Sequence, residues 1–244
     1  MMFAKLTSKL LTAAGLVCLT AGIAGAQINV LYYVDFSFDT NSMANALAGL
    51  GAGYNVTTAT SDAQFQSLIT SNPYGLVIYE VQDVAPVTAS VTDLANYIAG
   101  GGHAIGADWD VGAGNAMVSV FGANYTGTTN QTSVNVTSAL LSGGITNPIS
   151  LSNPGWGIFS YDLTGGTSGG TFGDGSEAIV FGNGGSTILN GFLDNVSGAP
   201  AQQLYTNEIV ALTSSPTGTP EPGAATLVLA GILGSFTVLR RRRK

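Results

Sequence analysis

Strand-like and helix-like segments alternate along the first half of this chain, and this alternation limits the folds that it can adopt. The β-branched and aromatic run INVLYYVD predicts a buried strand over residues 28–35, and further strands are predicted around residues 56–59, 74–82 and 103–110. Between these runs apolar residues recur at helical spacing, and Ser61 opens a capping box before one of the helices. Strands that alternate with helices favour a parallel sheet covered on both faces.

The second half is rich in Gly and Thr from residue 112 to 175 and gives weaker patterns. A short helix is expected at NAMVSVFG, a strand at SVNVT, two strands joined by a Gly-rich turn within residues 176–194, and a closing helix at QLYTNEIVAL. We therefore predict one doubly wound α/β domain with a mainly parallel sheet over residues 27–213. Its first helix is expected to be capped by Asp39 and Thr40.

The body of the chain contains no cationic side chain other than a histidine. All seven Lys and Arg residues lie before residue 10 or after residue 239, whereas all 14 Asp and Glu residues and the single His103 lie between these ends. Nucleic-acid and phosphate recognition depend on Lys and Arg, so the sequence argues against a nucleic-acid partner. A Schiff-base lysine and an arginine finger are excluded from the body on the same ground.

The first 26 residues have the pattern of a secretory signal peptide. Lys5 and Lys9 precede an apolar run, and Ala24 and Ala26 supply the small residues that signal peptidase requires, so cleavage is expected before Gln27. The only cysteine, Cys18, lies within this segment. The mature protein is therefore expected to be exported and to lack a thiol.

The carboxyl end predicts a membrane anchor. Residues 223–239 are uncharged and mostly apolar, which favours a single transmembrane helix, and a cationic tail follows directly: Arg240, Arg241, Arg242, Arg243 and Lys244. The positive-inside rule places this tail in the cytoplasm and the body on the opposite side of the membrane. Residues 214–222 form the linker between the body and the helix.

The linker, helix and tail together resemble the PEP-CTERM sorting signal of Gram-negative bacteria. The resemblance rests on Pro220, Glu221 and Pro222, followed by the apolar span and the Arg cluster, and it covers about the last 25 residues. It implies recognition and cleavage near these three residues by an exosortase, then release or transfer to the extracellular matrix. Signal peptidase and exosortase would be processing partners, and the membrane would hold the precursor.

The body resembles the flavodoxin-like fold of class I glutamine amidotransferases and their sugar-utilisation relatives. The segments that carry the resemblance are YGLVIYEVQ, LANYIAGGGHAIGADWD, STILNGFLD and LYTNEIVAL. Catalytic members of that group place a cysteine at the turn after the strand that HAIGADWD would form, whereas this chain has Gly106, Ala107 and Asp108 there. Amidotransferase activity is therefore not expected.

Acidic residues follow three of the predicted strands, where α/β sheets bind ligands. If the strand ends converge, they would form a ligand site for Ca²⁺ or for sugar hydroxyls, with these candidate residues: Asp35, Asp39, Glu80, Asp83, Asp108, Trp109 and Asp110. Ca²⁺ is placed at Asp108 and Asp110 in this interpretation. The alternative is that these acids cap helices and occupy loops. Asp174 and Glu177 lie in GDGSE, which is interpreted as a turn, and His103 is assigned a structural role.

The sequence thus predicts an exported, surface-sorted, non-enzymatic protein of the bacterial envelope or extracellular matrix that binds carbohydrate or Ca²⁺. No cofactor is expected apart from that ion. A second hypothesis remains open, in which a secreted hydrolase uses the carboxylates at the strand ends to cleave an extracellular polysaccharide.

Overall fold

The computed structural model describes residues 27–36, 41–151, 160–193 and 199–214. Its strands are β1 (Ile28–Val34), β2 (Tyr54–Ala59), β3 (Leu76–Val81), β4 (Ala104–Asp108), β5 (Asn124–Thr129), β6 (Ser133–Val136), β7 (Ile149–Ser150), β8 (Ser160–Thr164), β9 (Thr167–Phe172), β10 (Glu177–Gly182) and β11 (Thr187–Asn190). Its helices are α1 (Ser42–Gly49), α2 (Asp62–Ser71), α3 (Thr88–Ala99), α4 (Ala116–Val120) and α5 (Ala199–Thr213).

All of these strands belong to one mixed sheet, whose main order is β2-β1-β3-β4-β11-β10-β9-β6-β7. The first five strands in this order run parallel. From β10 onward the pairing is antiparallel, and β8 pairs with both β10 and β5 outside the main order. The α/β prediction is confirmed, and the antiparallel half adds strands that the Gly- and Thr-rich sequence did not reveal.

Two apolar layers cover the parallel half. On one face Val30, Leu76 and Ile188 pack with side chains of α1 and α5. On the other face Leu31, Val77 and Leu189 pack with α2, α3 and α4. Successive strand residues point to opposite faces, so a strand buried on both sides must be apolar at nearly every position, as β1 and β3 are.

Helix starts follow local capping chemistry. Ser61 accepts a hydrogen bond from the Gln64 backbone N–H at 3.3 Å, and the Gln64 side chain accepts one from the Thr60 N–H at 3.0 Å, close to the predicted capping box. The expected cap of α1 is corrected. Asn41, rather than Asp39 or Thr40, caps this helix, because its Oδ1 accepts from the Ala44 N–H at 2.6 Å.

Several predictions concern residues that lie outside the described ranges. They include the signal peptide, the Pro220–Pro222 motif, the apolar span 223–239, the basic tail and Asp39. Within the described ranges, no helix is both long and apolar enough to cross a membrane.

Candidate functional site

The carboxyl ends of the parallel strands carry most of the predicted site residues, but the residues do not all face the same way. Glu80 and Asp108 lie on neighbouring strands, where the register pairs Glu80 with Ala107 and Val81 with Asp108. Registered partners in a sheet point to the same face, and successive residues point to opposite faces. Glu80 therefore points toward α1 and α5, whereas Asp108 points toward α2, α3 and α4.

Asp35 holds the loop after β3 in place. Its Oδ1 accepts from the backbone N–H groups of Phe36 at 2.8 Å and Gln82 at 2.6 Å. Its Oδ2 accepts from those of Asp83 at 3.0 Å and Val84 at 2.8 Å. Four backbone N–H donors stabilise the negative charge of this carboxylate without a cation. Asp35 thus joins the end of β1 to the loop after β3.

Glu80 is buried and belongs to a hydrogen-bonded chain under α1. The Tyr32 hydroxyl donates to Glu80 Oε2 at 2.8 Å, and Asn41 Nδ2 donates to the Tyr32 hydroxyl oxygen at 2.8 Å. Glu80 is 1% exposed, so it does not contact solvent at the strand ends. Its position ties β3 to β1 and to the start of α1.

Asp108 is fully buried at the end of β4. Its Oδ1 accepts from the Asp110 N–H at 2.9 Å, and its Oδ2 accepts from Asn115 Nδ2 at 2.7 Å. Burial raises the pKa of Asp108 to about 6, because removal from water disfavours the charged form more than these two hydrogen bonds favour it. Its role is to fix the loop between β4 and α4.

The remaining candidates lie apart from these buried groups. The backbone N–H of Trp109 donates to the Val81 carbonyl at 3.0 Å, while Asp110 and Asp83 are exposed. His103 precedes β4, at the opposite end of the strand from Asp108. Within GDGSE, Asp174 accepts from the Ser176 N–H and hydroxyl in a turn, and Glu177 accepts from the Ser168 hydroxyl on β9.

A groove of about 670 Å³ lies between α3 and α4 at this end of the sheet. One wall carries Thr88, Thr92 and Asn96, which are spaced four residues apart on α3 and so fall about 6 Å apart along the helix. The opposite wall carries Asp110 and Asn115. Hydroxyl, carboxamide and carboxylate groups thus face each other across the groove.

The groove has an apolar floor, formed mainly by Val91, Met117 and Val120. Val84, which precedes the groove residue Ala85, is an apolar side chain that is 58% exposed. Asp35 accepts a hydrogen bond from the backbone N–H of Val84, which holds this loop in place. Large exposed apolar groups beside a concave surface are typical of binding sites.

Of the acidic residues that the sequence suggested as ligand-binding, Asp110 lines the groove. The polar residues of α3 that also line it were not predicted. The signal was present as Thr88, Thr92 and Asn96 at helical spacing, on a different face from the buried Val91 and Leu94. No group of three or more His, Cys, Asp or Glu side chains that would suit a metal ion occurs within the described ranges.

These features define the chain as an α/β protein with a mixed sheet and a groove at the carboxyl ends of its parallel strands. No protein-family model matches the sequence, and no curated protein matches it. Solved structures do share the architecture. The N-terminal domain of mmIFT52 matches with a TM-score of 0.50 and 12% identity, covering 78% of this chain and 100% of that domain. At this identity the likeness shows the fold alone.

Two further structural matches have lower scores. A putative GMP synthase subunit from Thermoplasma acidophilum has a TM-score of 0.45 and 13% identity, covering 78% of this chain and 96% of its own. A β-galactosidase from the psychrophilic Marinomonas ef1 has a TM-score of 0.48 and 11% identity, covering 86% of this chain and 32% of its own.

Proposed function

We propose that this chain is an exported, surface-sorted and non-enzymatic protein of the bacterial envelope or extracellular matrix, and that its α/β domain binds carbohydrate in the groove between α3 and α4. The observation that carries the binding proposal is the composition of the groove, whose walls carry mainly uncharged hydrogen-bonding groups and one carboxylate, that of Asp110, beside an apolar floor. Sugars present hydroxyl edges and apolar C–H faces, so they complement both surfaces.

Electrostatics favours an uncharged glycan as the ligand. All 14 acidic residues except Glu221 of the linker lie in the body, which has no Lys or Arg, so its field repels acidic polymers such as uronate-rich polysaccharides. Asn115 already bonds to Asp108, Asp110 and Met117, whereas Thr88, Thr92 and Asn96 offer hydroxyl and carboxamide groups that can donate and accept hydrogen bonds without carrying charge. Their row along α3 suits a linear chain lying parallel to that helix.

The sorting part of the proposal rests on the two ends of the sequence. The signal peptide would deliver the body across the inner membrane, and an exosortase would cut near Pro220, Glu221 and Pro222. The membrane-anchored precursor would then become a protein of the cell surface or matrix.

The finer fold assignment, flavodoxin-like with glutamine-amidotransferase-like order, is also part of this proposal. Its support is the parallel order β2-β1-β3-β4-β11, which corresponds to the flavodoxin-like order 2-1-3-4-5 if β11 is counted as the fifth parallel strand.

The hydrolase hypothesis requires two carboxyl groups facing one substrate, about 5–10 Å apart. Of the described side chains that line the groove, Asp110 is the one acid. Asp108 lies behind Asn115 and is fully buried. This arrangement supports binding without turnover.

Calorimetric titration of the full chain in detergent against cello-oligosaccharides, dextran and alginate tests the binding proposal. We expect heat of binding with at least one neutral glycan and none with alginate. Thr92→Trp would fill the groove and weaken that binding at least tenfold, whereas Ala89→Trp, on an exposed part of α3 outside the groove, would leave it unchanged. Equal effects of the two variants, or no binding to any neutral glycan, would overturn the assignment.

The same mixtures test the enzyme hypothesis through the release of reducing ends. We expect none. Turnover that disappears in Asp110→Asn would replace the binding proposal with the hydrolase hypothesis.

Mass spectrometry of the termini tests the sorting proposal separately. Asp- or Glu-directed proteolysis is needed, since trypsin has no cleavage site in the body. We expect a C-terminus near Pro222 in the medium or matrix, and a surface protein that still ends at Lys244 would contradict exosortase processing.

A further inference from the structure

A buried acid joins the last helix to the middle of the sheet. Glu208 on α5 is 0% exposed and Asn190, the last residue of β11, is 1% exposed. Asn190 Nδ2 donates a hydrogen bond to Glu208 Oε2 at 3.1 Å. Two side chains with four polar atoms are thus enclosed between α5 and the sheet.

One oxygen on each side chain has no hydrogen-bond partner among the described residues: Glu208 Oε1 and Asn190 Oδ1. With Glu208 ionised, both oxygens are acceptors and neither satisfies the other, which is costly in a buried site. One proton on Oε1 changes this, because a carboxylic acid and a carboxamide can each donate to the other. The neutral acid is therefore the form that satisfies both side chains.

The surroundings provide no positive charge to offset an ionised Glu208. Register places Glu80 of β3 next to Ala107 of β4, and Ala107 next to Asn190, so a second buried acid lies on the same face. Among the described residues, the other titratable groups on this side are Tyr32 of β1, Tyr54 of β2 and Tyr205 of α5 itself, and α1 contributes none. The described ranges contain no Lys or Arg.

A bound metal ion is a poorer occupant than a proton. Ca²⁺ takes six to eight oxygen ligands, whereas this pair has only its two unpaired oxygens to offer. A protonated Glu208 is uncharged, which explains why its carboxyl group is tolerated on the buried side of α5 with Leu204, Tyr205 and Leu212. Consistent with this, burial raises the pKa of Glu208 to about 8.

We propose that Glu208 and Asn190 form a proton-dependent latch between α5 and β11, closed by a reciprocal pair of hydrogen bonds when Glu208 is neutral and loosened when it is ionised. α5 is the last described helix before the predicted linker, residues 214–222. If the sorting proposal holds, the latch lies where the domain meets its membrane-sorting segment. The latch itself does not depend on that proposal or on carbohydrate binding.

Equilibrium unfolding of the full chain in detergent between pH 6.5 and 9 tests the latch. The folded state retains a proton that the unfolded chain releases near pH 4.5, so the unfolding equilibrium constant should rise about tenfold per pH unit until pH 8 and then level off. Asp108, whose pKa is about 6, contributes little to the pH dependence of unfolding above pH 6.5.

Glu208→Gln keeps the reciprocal pair without a titrating proton, because a Gln amide can donate to Asn190 Oδ1 at every pH. We expect this variant to lose the pH slope above 6.5. Glu177→Gln, on β10 and hydrogen-bonded to Ser168 instead, should keep the wild-type slope. A flat wild-type profile, or a slope that survives in Glu208→Gln, would overturn the latch.

Infrared spectroscopy of the wild-type chain gives a test that does not depend on the variant folding. A protonated carboxyl group has its own C=O band, which we expect at pH 7 and expect to disappear above pH 9. The absence of that band at pH 7 would contradict a neutral Glu208. Hydrogen exchange adds a local readout, since α5 should lose protection relative to α3 once the acid ionises.

Discussion

The two halves of the sheet are built on different principles. In the parallel half, β1, β3 and β4 are short apolar runs covered on both faces by helices. In the antiparallel half, β9 (TSGGTF) consists mainly of Gly, Ser and Thr, and it pairs with the apolar β10 (EAIVFG) through a register that shifts twice. The parallel half is stabilised by the packing of large apolar side chains, and the antiparallel half depends on backbones that approach each other closely.

This difference predicts which substitutions each half tolerates. In the parallel half the vulnerable residues are large buried side chains, whose truncation leaves a cavity. In the antiparallel half they are glycines with no room for a methyl group. A Cβ on Gly170 would lie 2.9 Å from the Asn135 carbonyl oxygen, and one on Gly182 would lie 1.8 Å from that of Phe121.

The largest effect is expected from Phe65→Ala in the parallel half. Phe65 is fully buried, and its ring lies 5.4 Å from that of Tyr33 and 4.9 Å from that of Tyr79. Removing the ring should lower the free energy of unfolding by about 3–5 kcal/mol, from lost burial and the cavity left behind. Chemical denaturation measures this. The control is Val56→Ala on β2, where the side chain is 37% exposed and truncation should lower the free energy of unfolding by less than about 1 kcal/mol. If the two variants were equally destabilised, buried side-chain packing would not be what stabilises the parallel half.

Gly182→Ala is the corresponding test in the antiparallel half, with an expected cost of about 3 kcal/mol. The added methyl group would collide with the backbone oxygen of Phe121, which cannot move without disturbing the turn after α4. Gly53→Ala is the control, because nothing lies within 4 Å of its Cβ position. That control should change stability by at most about 1 kcal/mol in either direction. A tolerated Gly182→Ala would show that the antiparallel half is packed loosely.

The same difference explains what the sequence predicted about the fold. The strands and helices up to residue 110, the hairpin of β10 and β11, and the closing helix α5 were predicted correctly, because each has apolar periodicity or a cap. Strands β5, β7, β8 and β9 were not predicted. Their sequences, such as TSGGTF, have little apolar alternation, and their pairing depends on distant partners that a local pattern does not reveal.

Asp35, Asp83, Asp108 and Asp110 all lie at the carboxyl ends of the parallel strands, but of these acids Asp110 alone lines the groove. Register places Glu80 on the opposite face of the sheet. That these acids form a ligand site stays a prediction. Glu208 was missed, although its spacing from Leu204 and Leu212 already placed it on the buried side of α5. An acidic residue within an apolar helix stripe is easily assigned to the surface when the sequence is considered alone.

A third prediction contrasts one acid from each half. The pKa of buried Asp108 rises from 3.8 to about 6, so the folded state binds an extra proton between pH 4 and 6. Its contribution to stability is therefore fully present at pH 4 and lost as pH rises through 6. The difference in unfolding free energy between wild type and Asp108→Asn should fall by about 2 kcal/mol over this window.

Asp174, in the exposed turn between β9 and β10, should behave in the opposite way. Hydrogen bonds from Ser176 lower its pKa, so any contribution to stability is present above the ordinary Asp range and is lost as pH falls. Asp174→Asn should leave the slope of the unfolding free energy against pH unchanged above pH 5. Glu208 contributes the same pH slope to wild type and to Asp108→Asn, so the test is the difference between the two profiles. A difference that stays constant between pH 4 and 6 would contradict the raised pKa of Asp108.

The smallest predicted effect concerns the local signals that make the parallel half readable from sequence. Ser61→Ala removes the acceptor for the Gln64 N–H at the start of α2 and should cost about 1 kcal/mol. Thr70→Ala, near the end of the same helix, removes only a hydroxyl that bonds to the Gln66 carbonyl and should change stability by less than about 0.5 kcal/mol. If Ser61→Ala were also silent, tertiary packing of Phe65 and Ile69 would be sufficient to define α2, and its capping box would be a marker of the helix start instead of a cause.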